Sequence, residues 1–281
     1  VIGAIGINIR EEKGELILFQ AKTVIITTGH TMRLYPGINP AYLFNLSNCP
    51  ANTGSGTAMA LRAGARVANL DMPYLHACPR FFSRSGKATW IGVYTDFYGK
   101  TVGPFVTAPT RELGDVTPDV WNDVFREKME NGTGPVYMNC SQTSQEDIDY
   151  MMTQFVSEGD TSLLDYFAQY EIDVRTKMVE FGMYENSFAA KGVEIDQTAM
   201  TSVYGLFAAG ATAGNVRSDV ADCAVWGQVA GENAAQLAKE ISFSEIEEHH
   251  TVKEKEAFYQ AMLSRQEGAY WKEANSTLQQ I

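Results

Sequence analysis

Residues 21 to 30 read Ala21-Lys22-Thr23-Val24-Ile25-Ile26-Thr27-Thr28-Gly29-His30. The run Val24-Ile25-Ile26 is apolar on both faces, which suits a strand covered on both sides, the usual setting of a parallel strand. It ends in small residues and a glycine, so its backbone can come close to a ligand. In open α/β sheets, ligands lie beyond the carboxyl ends of the strands. Taken by itself, the same pattern also describes a plain strand-to-loop turn.

Upstream, Ala4-Ile5-Gly6-Ile7-Asn8-Ile9 alternates, Lys13-Gly14 is a turn signal, and Glu15-Leu16-Ile17-Leu18-Phe19 forms a second strand. Downstream, Pro36, Pro40 and Pro50 mark a loop. Thr53 then reads as the N-cap of a helix through Ala58 and Ala63, closed by Gly64, and Ala65-Arg66-Val67-Ala68 as a short strand. From about Pro73 to Phe188 the texture changes to aromatics, turns and helices such as Pro118 to Glu130 and Gln145 to Glu158, as expected of an inserted unit.

Strand signals return after Gly192, in Val193-Glu194-Ile195-Asp196 and in Val203-Tyr204-Gly205-Leu206-Phe207-Ala208-Ala209-Gly210. A helix follows from near Ser218 or Asp219 to Lys239, and its Ala224, Gly227, Ala230, Gly231, Ala234 and Ala235 permit close approach to a neighbour. Its N-terminus offers free N–H groups and a positive dipole end, suited to phosphate or an electron-rich ring edge; ordinary capping by Ser218 or Asp219 is the other reading. The tail from Ser244 to Ile281 is charged and helical in pattern.

The sequence has 281 residues, 45% apolar and 20% charged, with a formal charge of −12, an ordinary globular balance. Such an acid surplus disfavours phosphate neutralisation, so no nucleic-acid partner is expected. No apolar run reaches the length of a transmembrane segment. Cys49, Cys78, Cys140 and Cys223 lie far apart without a Cys-x-x-Cys, which argues against a zinc site, an iron–sulfur cluster or a disulfide framework, and suits reduced thiols in a cytoplasm. His249-His250 has no third ligand at metal spacing, and Met151-Met152 reads as core.

Three segments in order resemble the FAD-dependent fumarate reductase/succinate dehydrogenase flavoproteins: the strand at 21–30 against "AKAVILATGG", Asn52 to Ala65 against "TGDGxAMAxRAGA", and Thr201 to Gly210 against "TSVPGLYAAGE". Gly134-Pro135-Val136-Tyr137-Met138 is similar to the "GPVYLDL" of the family's capping domain. The resemblance implies an α/β (α+β) fold with a split FAD-binding domain, over 1–75 and 191–240. It also implies an inserted capping domain over 76–190 and the start of a helical C-terminal domain over 241–281. The family's Gly-x-Gly-x-x-Gly is absent from all 24 glycines, and Ala274 to Ile281 resembles the middle of the family's C-terminal helical domain, so the expectation is a fragment cut at both ends that lacks the first βαβ unit.

Carried over residue by residue, the resemblance implies that Thr27, Thr28 and Gly29 line the adenine side of FAD. Ser55 stands where the family has an Asp that touches the cofactor, and Ala211 replaces the acid after "AAG" next to Gly210. Asp219 and Val220 align with the helix start that meets the flavin ring. His76 fits the His of "EFVQFHPT", which holds a substrate carboxylate, and Arg217 is the nearest candidate for the substrate-binding Arg. The second substrate His falls at Ser187, and Arg111 is the one candidate for the cap's proton-delivering Arg.

With so much of the fumarate machinery replaced, the implied activity is hydride transfer between flavin and a small anionic substrate other than fumarate. The short link from Gly210 to Gly227 looks closer to the adenylylsulfate-reductase-like branch. That branch implies a partner, an iron–sulfur electron-transfer subunit that supplies the cluster this chain has no cysteines to build. It also implies a location in the cytoplasm or peripheral to a membrane through that partner. The losses at Ser55 and Ala211 leave a second reading open, a cofactor-free binding or scaffold subunit.

Overall fold

Strand β3 (Val24–Ile26) runs parallel to β10 (Leu206–Ala208), with Val24 opposite Leu206. Two further backbone bonds extend the pairing, Val24 N–H to Gly205 O at 3.0 Å and Ala209 N–H to Ile26 O at 3.1 Å. Parallel partners cannot be joined by a tight turn, and here the intervening sequence carries a second compact unit. The computed structural model describes residues 1–10, 14–30, 52–71, 74–80, 82, 89–103, 106–113, 123–187, 191–217, 219–246 and 249–278, except the side chains of 74–76, 183–187, 275 and 276. One unit comprises Val1–Leu34, Ala51–Pro73 and Phe188–Ile281, and the other Tyr35–Pro50 and Tyr74–Ser187.

In the first unit, β1 (Gly3–Asn8) and β2 (Glu15–Gln20) form an antiparallel hairpin. Helix α1 (Ser55–Arg62) begins one residue later than Thr53 predicts. Its N-cap is Gly54, at φ 81°, and no side chain caps it. Ala60 and Ala65 pack with Ile26, Val193, Phe207 and Ala208 into this unit's core. Strand β4 (Val67–Ala68) pairs antiparallel with β9 (Gly192–Val193). The expected strand through Asp196 stops at Val193. Asn215 takes over the backbone of Ile195, donating to its carbonyl at 2.7 Å and accepting from its N–H at 3.0 Å, and the Asp196 carboxylate closes a turn. Side chains that bond the backbone locally compete with a ladder in this way.

A long helix in the same unit (Val220–Glu240) is capped by Asp219, whose carboxylate accepts from Asp222 N–H at 2.9 Å. Ala230 and Ala234, four apart on one face, are buried, and the helix backbone comes near enough to β3 for Thr23 Oγ1 to donate to Ala234 O at 3.4 Å. The rest of the small-residue stripe does not pack. Ala224 and Ala235 are exposed, and a Cβ at Gly227 or Gly231 would meet nothing within 4 Å. The six positions do lie along one side of the helix, but among the described residues only Ala230 and Ala234 are buried. The tail forms two helices, His250–Leu263, capped by His249 Nδ1 accepting from Thr251 N–H, and Trp271–Leu278.

The second unit is a four-stranded antiparallel sheet in the order β5 (Tyr74–Pro79), β8 (Val179–Ser187), β7 (Val136–Asn139), β6 (Val93–Thr95). Its helices are Asp123–Glu130, Gln145–Ser157 and Thr161–Gln169. The expected helix from Pro118 starts at Asp123 among the described residues; 114–122 lie outside them. Trp90 anchors the core, 4.8 Å from the Phe155 ring and 5.1 Å from Phe181. Met151 is fully buried beneath it, as its core reading expects, with Sδ 3.4 Å from Ile91 N–H.

Candidate functional site

Four segments of the first unit converge at the carboxyl ends of β3 and β10. After Ile26 the chain leaves the ladder with Thr27 and Thr28 exposed and turns at Gly29, φ 76°. After Ala208 it turns at Gly210, φ 65°, into a single 3₁₀ turn, Gly210–Thr212. Both glycines hold left-handed backbone, which a side chain would strain. Thr28 Oγ1 lies 3.3 Å from Thr212 Oγ1, and Thr212 Oγ1 donates to Gly29 O at 3.4 Å.

The third segment is the start of α1. An added Cβ on Gly56 would sit 1.9 Å from Thr28 Oγ1, so only glycine lets α1 approach the strand end this closely. Asn52 reaches the Gly29 turn, its Nδ2 standing 3.3 Å from where a Cβ would be. Ser55 is exposed and its hydroxyl lies 3.0 Å from Thr53 Oγ1, leaving the first N–H groups of α1 without a side-chain cap. The fourth segment is the start of the Val220–Glu240 helix, where Cys223 Sγ stands 3.5 Å from a Cβ built on Gly210.

Thr27, Thr28, Gly29, Ser55, Gly210 and Ala211 thus belong to one neighbourhood. The Asp219 carboxylate is occupied as a helix cap and by Arg217 Nε at 3.5 Å, so any ligand contact at that helix start falls to backbone N–H groups. Val220 beside it is 87% exposed, an apolar residue held open at a helix start. Arg217 points into solvent, its side chain 85% exposed. His76 belongs to the other unit, in β5 opposite Glu185 next to a register shift, and its side chain lies outside the described residues. Ser218 also lies outside them. Arg111 is held by Asp147 and by Glu146 at 3.0 Å, over the Tyr150 ring; the Asp147 hydrogen bond is the largest influence raising its pKa.

Sequence reasoning missed Thr212. A threonine between two alanines carries no signal, and only the fold shows its hydroxyl, on a residue 1% exposed, against the end of a strand some 180 residues away in sequence. Lys191, 6% exposed, was missed as well. Burial lowers its pKa and the nearby Asp71 charge opposes that shift. Among the described residues no group of three His, Cys, Asp or Glu could hold a metal.

The floor of this neighbourhood is backbone turned through left-handed glycines, with exposed hydroxyls and an uncapped helix start around it. That donor set fits a dinucleotide better than a metal or a covalent substrate. The family model described as an FAD binding domain, FAD_binding_2, matches residues 1–220. The chain belongs to this FAD-binding family.

Among its relatives, one component of the fumarate reductase (CoM/CoB) of Methanothermobacter marburgensis is 27% identical over 266 residues, covering 86% of this chain and 44% of that protein. An L-aspartate oxidase of Bacillus subtilis is 25% identical, covering 74% of this chain and 36% of that protein. The chain therefore spans less than half the length of these relatives. Solved structures share the fold. An adenosine-5-phosphosulfate reductase in complex with sulfite superposes with a TM-score of 0.73 at 19% identity, over 92% of this chain and 47% of the other. A quinol-fumarate reductase gives 0.71 at 18% identity, over 100% and 50%. The mixed α/β architecture expected from the sequence is that of the fumarate reductase flavoproteins. No helix among the described residues is long and apolar enough to cross a membrane.

Proposed function

We propose that this chain forms part of an FAD-dependent oxidoreductase acting on a small anionic substrate other than fumarate, with electrons exchanged through an iron–sulfur partner subunit. The observation that carries the redox reading is the meeting of the Gly29 turn, the Gly210 turn and the uncapped start of α1 in one neighbourhood. When bound, FAD supplies the acceptance and return of a hydride equivalent. The chain's own residues hold it: Thr27, Thr28 and Gly29 on the adenine side, Ser55 at the start of α1, Gly210 and Ala211 at the turn after β10, and the backbone at Asp219 and Val220 toward the ring.

An anionic substrate is supported by the names of the relatives, which refer to fumarate, aspartate and phosphosulfate chemistry. Arg217 and His76 are the residues proposed to orient it. A substrate other than fumarate is supported by Ser187 and Arg111. Ser187 stands where a second cation is needed, and Arg111 is neutralised by two carboxylates. The partner is supported by the cysteine spacing, which offers no cluster of its own. A location in the cytoplasm, or peripheral to a membrane through that partner, goes with this reading.

The experiment is to purify the product of the complete reading frame that encodes this chain, record its visible spectrum, and identify any flavin released on denaturation. A yellow protein yielding FAD supports the reading. A folded, colourless product that ignores added FAD favours the second reading, a cofactor-free binding or scaffold subunit, to which Ser55 and Ala211 in place of two acids point.

A further inference from the structure

We propose that Thr212 is a positioning residue of the FAD site: its hydroxyl ties the Gly29 turn to the Gly210 turn, so that both strand ends present their backbone to one cofactor. The inference rests on the FAD reading and adds to it a residue that touches no cofactor in that reading.

Thr212 is 1% exposed, beside a core of apolar residues that includes Ile26, Phe207, Ala208, Ala209 and Ala213. A hydroxyl in such a place needs partners, and the two within reach, Thr28 Oγ1 and Gly29 O, both belong to the end of β3. Its backbone packs closely on β9, since a Cβ on Gly192 would fall 2.1 Å from Thr212 O and Gly214 N–H donates to Val193 O at 2.8 Å. From this main chain the side chain reaches the end of β3. Thr28 in turn is in contact with Gly56 at the start of α1. One hydroxyl pair therefore links three of the four segments that make the site. A turn at left-handed glycine is otherwise free to move, because glycine restricts its own backbone least.

The test compares Thr212→Val, which keeps shape and removes the hydroxyl, with Thr212→Ser, which keeps the hydroxyl. Each is measured in the complete product by FAD titration, by the visible spectrum of bound flavin, and by amide exchange without cofactor. Leaving the Gly29 carbonyl and the Thr28 hydroxyl without their partner should weaken FAD binding about tenfold. Exchange at 28–30 and 210–213 should quicken, and Thr212→Ser should bind within about twofold of the parent.

Because Thr212→Val could fail to fold, Thr28→Val attacks the same bond from its other end. The loss in the double variant should then be smaller than the sum of the two single losses, because the Thr28–Thr212 hydroxyl contact is counted in both. Equal losses in the Val and Ser variants, additive losses in the double variant, or unchanged affinity with unchanged exchange would each overturn the inference. A parent protein that binds no FAD would overturn the functional reading instead.

Discussion

One carboxylate oxygen of Asp196 accepts from Thr198 N–H at 2.8 Å, Thr198 Oγ1 at 2.6 Å and Met200 N–H at 3.1 Å. This holds a turn in which Ala199 is fully buried at φ 63°. Partial burial raises the Asp196 pKa, but the Thr198 side chain and the two backbone N–H groups lower it further, leaving it below its ordinary 3.8. A folded-state pKa below the unfolded value means the contribution is complete above the ordinary Asp range and is lost as pH falls through the folded value. Asp196→Ala should therefore cost about 1 kcal/mol at neutral pH, discounted for solvent exposure, and the gap to the parent should close in acid. Denaturant midpoints at neutral pH and below pH 3.8 check this; a constant gap would show that the charge is not involved. At Cys140 the sign is opposite. Burial pushes its thiol up to about 12 against a weaker pull from Thr143, so almost no thiolate exists near neutrality. Peptide mapping after alkylation of the native protein should find Cys78 and Cys140, both buried, unmodified and the half-buried Cys223 labelled.

Two glycines on helices separate close packing from permissive composition. Gly56 is sealed against Thr28, so Gly56→Ala forces α1 off the strand end and should cost about 1–3 kcal/mol, along with FAD affinity. Gly227 faces open space within a helix, so Gly227→Ala should stabilise by up to about 1 kcal/mol through backbone entropy alone. Thermal unfolding of the pair gives shifts of opposite sign, and a destabilised Gly227→Ala would show that something covers that face. The same contrast marks what the sequence made legible. Val24-Ile25-Ile26 pairs in parallel as its apolar run implies, yet only Ile26 is buried and Ile25 is 39% exposed, so the expected cover on both faces is not found. Met151 reads as core and is buried, and the helix expected from Gln145 runs 145–157, where the structure shows Ser144 as its cap. The start of α1 was misplaced because Thr53 has the better capping chemistry, yet the left-handed turn at Gly54, with its neighbour Gly56 packed on Thr28, set the boundary. Thr212 could not be found in advance, since its meaning depends on a tertiary neighbour. The small-residue stripe was over-read for the same reason.

At the scale of the molecule, the FAD reading concerns one compact unit whose chain is interrupted by another. The residues assigned to hold the cofactor come from 27–29, 55, 210–211 and 219–220, segments distant in sequence that only the folded unit brings together. A ligand that binds the folded state alone stabilises it by mass action, about 2.7 kcal/mol when present at 100 times its dissociation constant. Stabilisation of that kind cannot fall on one segment, because no single segment contains the site. Saturating FAD should therefore slow amide exchange together at 27–30, 52–57 and 209–213. Strands 136–139 and 179–182 belong to the other unit and supply none of these contacts, so they serve as the internal comparison. Hydrogen exchange with mass spectrometry, with and without FAD, reads both sets in one experiment. Protection of 27–30 without 209–213 would mean that the parallel β3–β10 pair does not frame the cofactor. Protection confined to 136–139 and 179–182 would move the site into the other unit altogether.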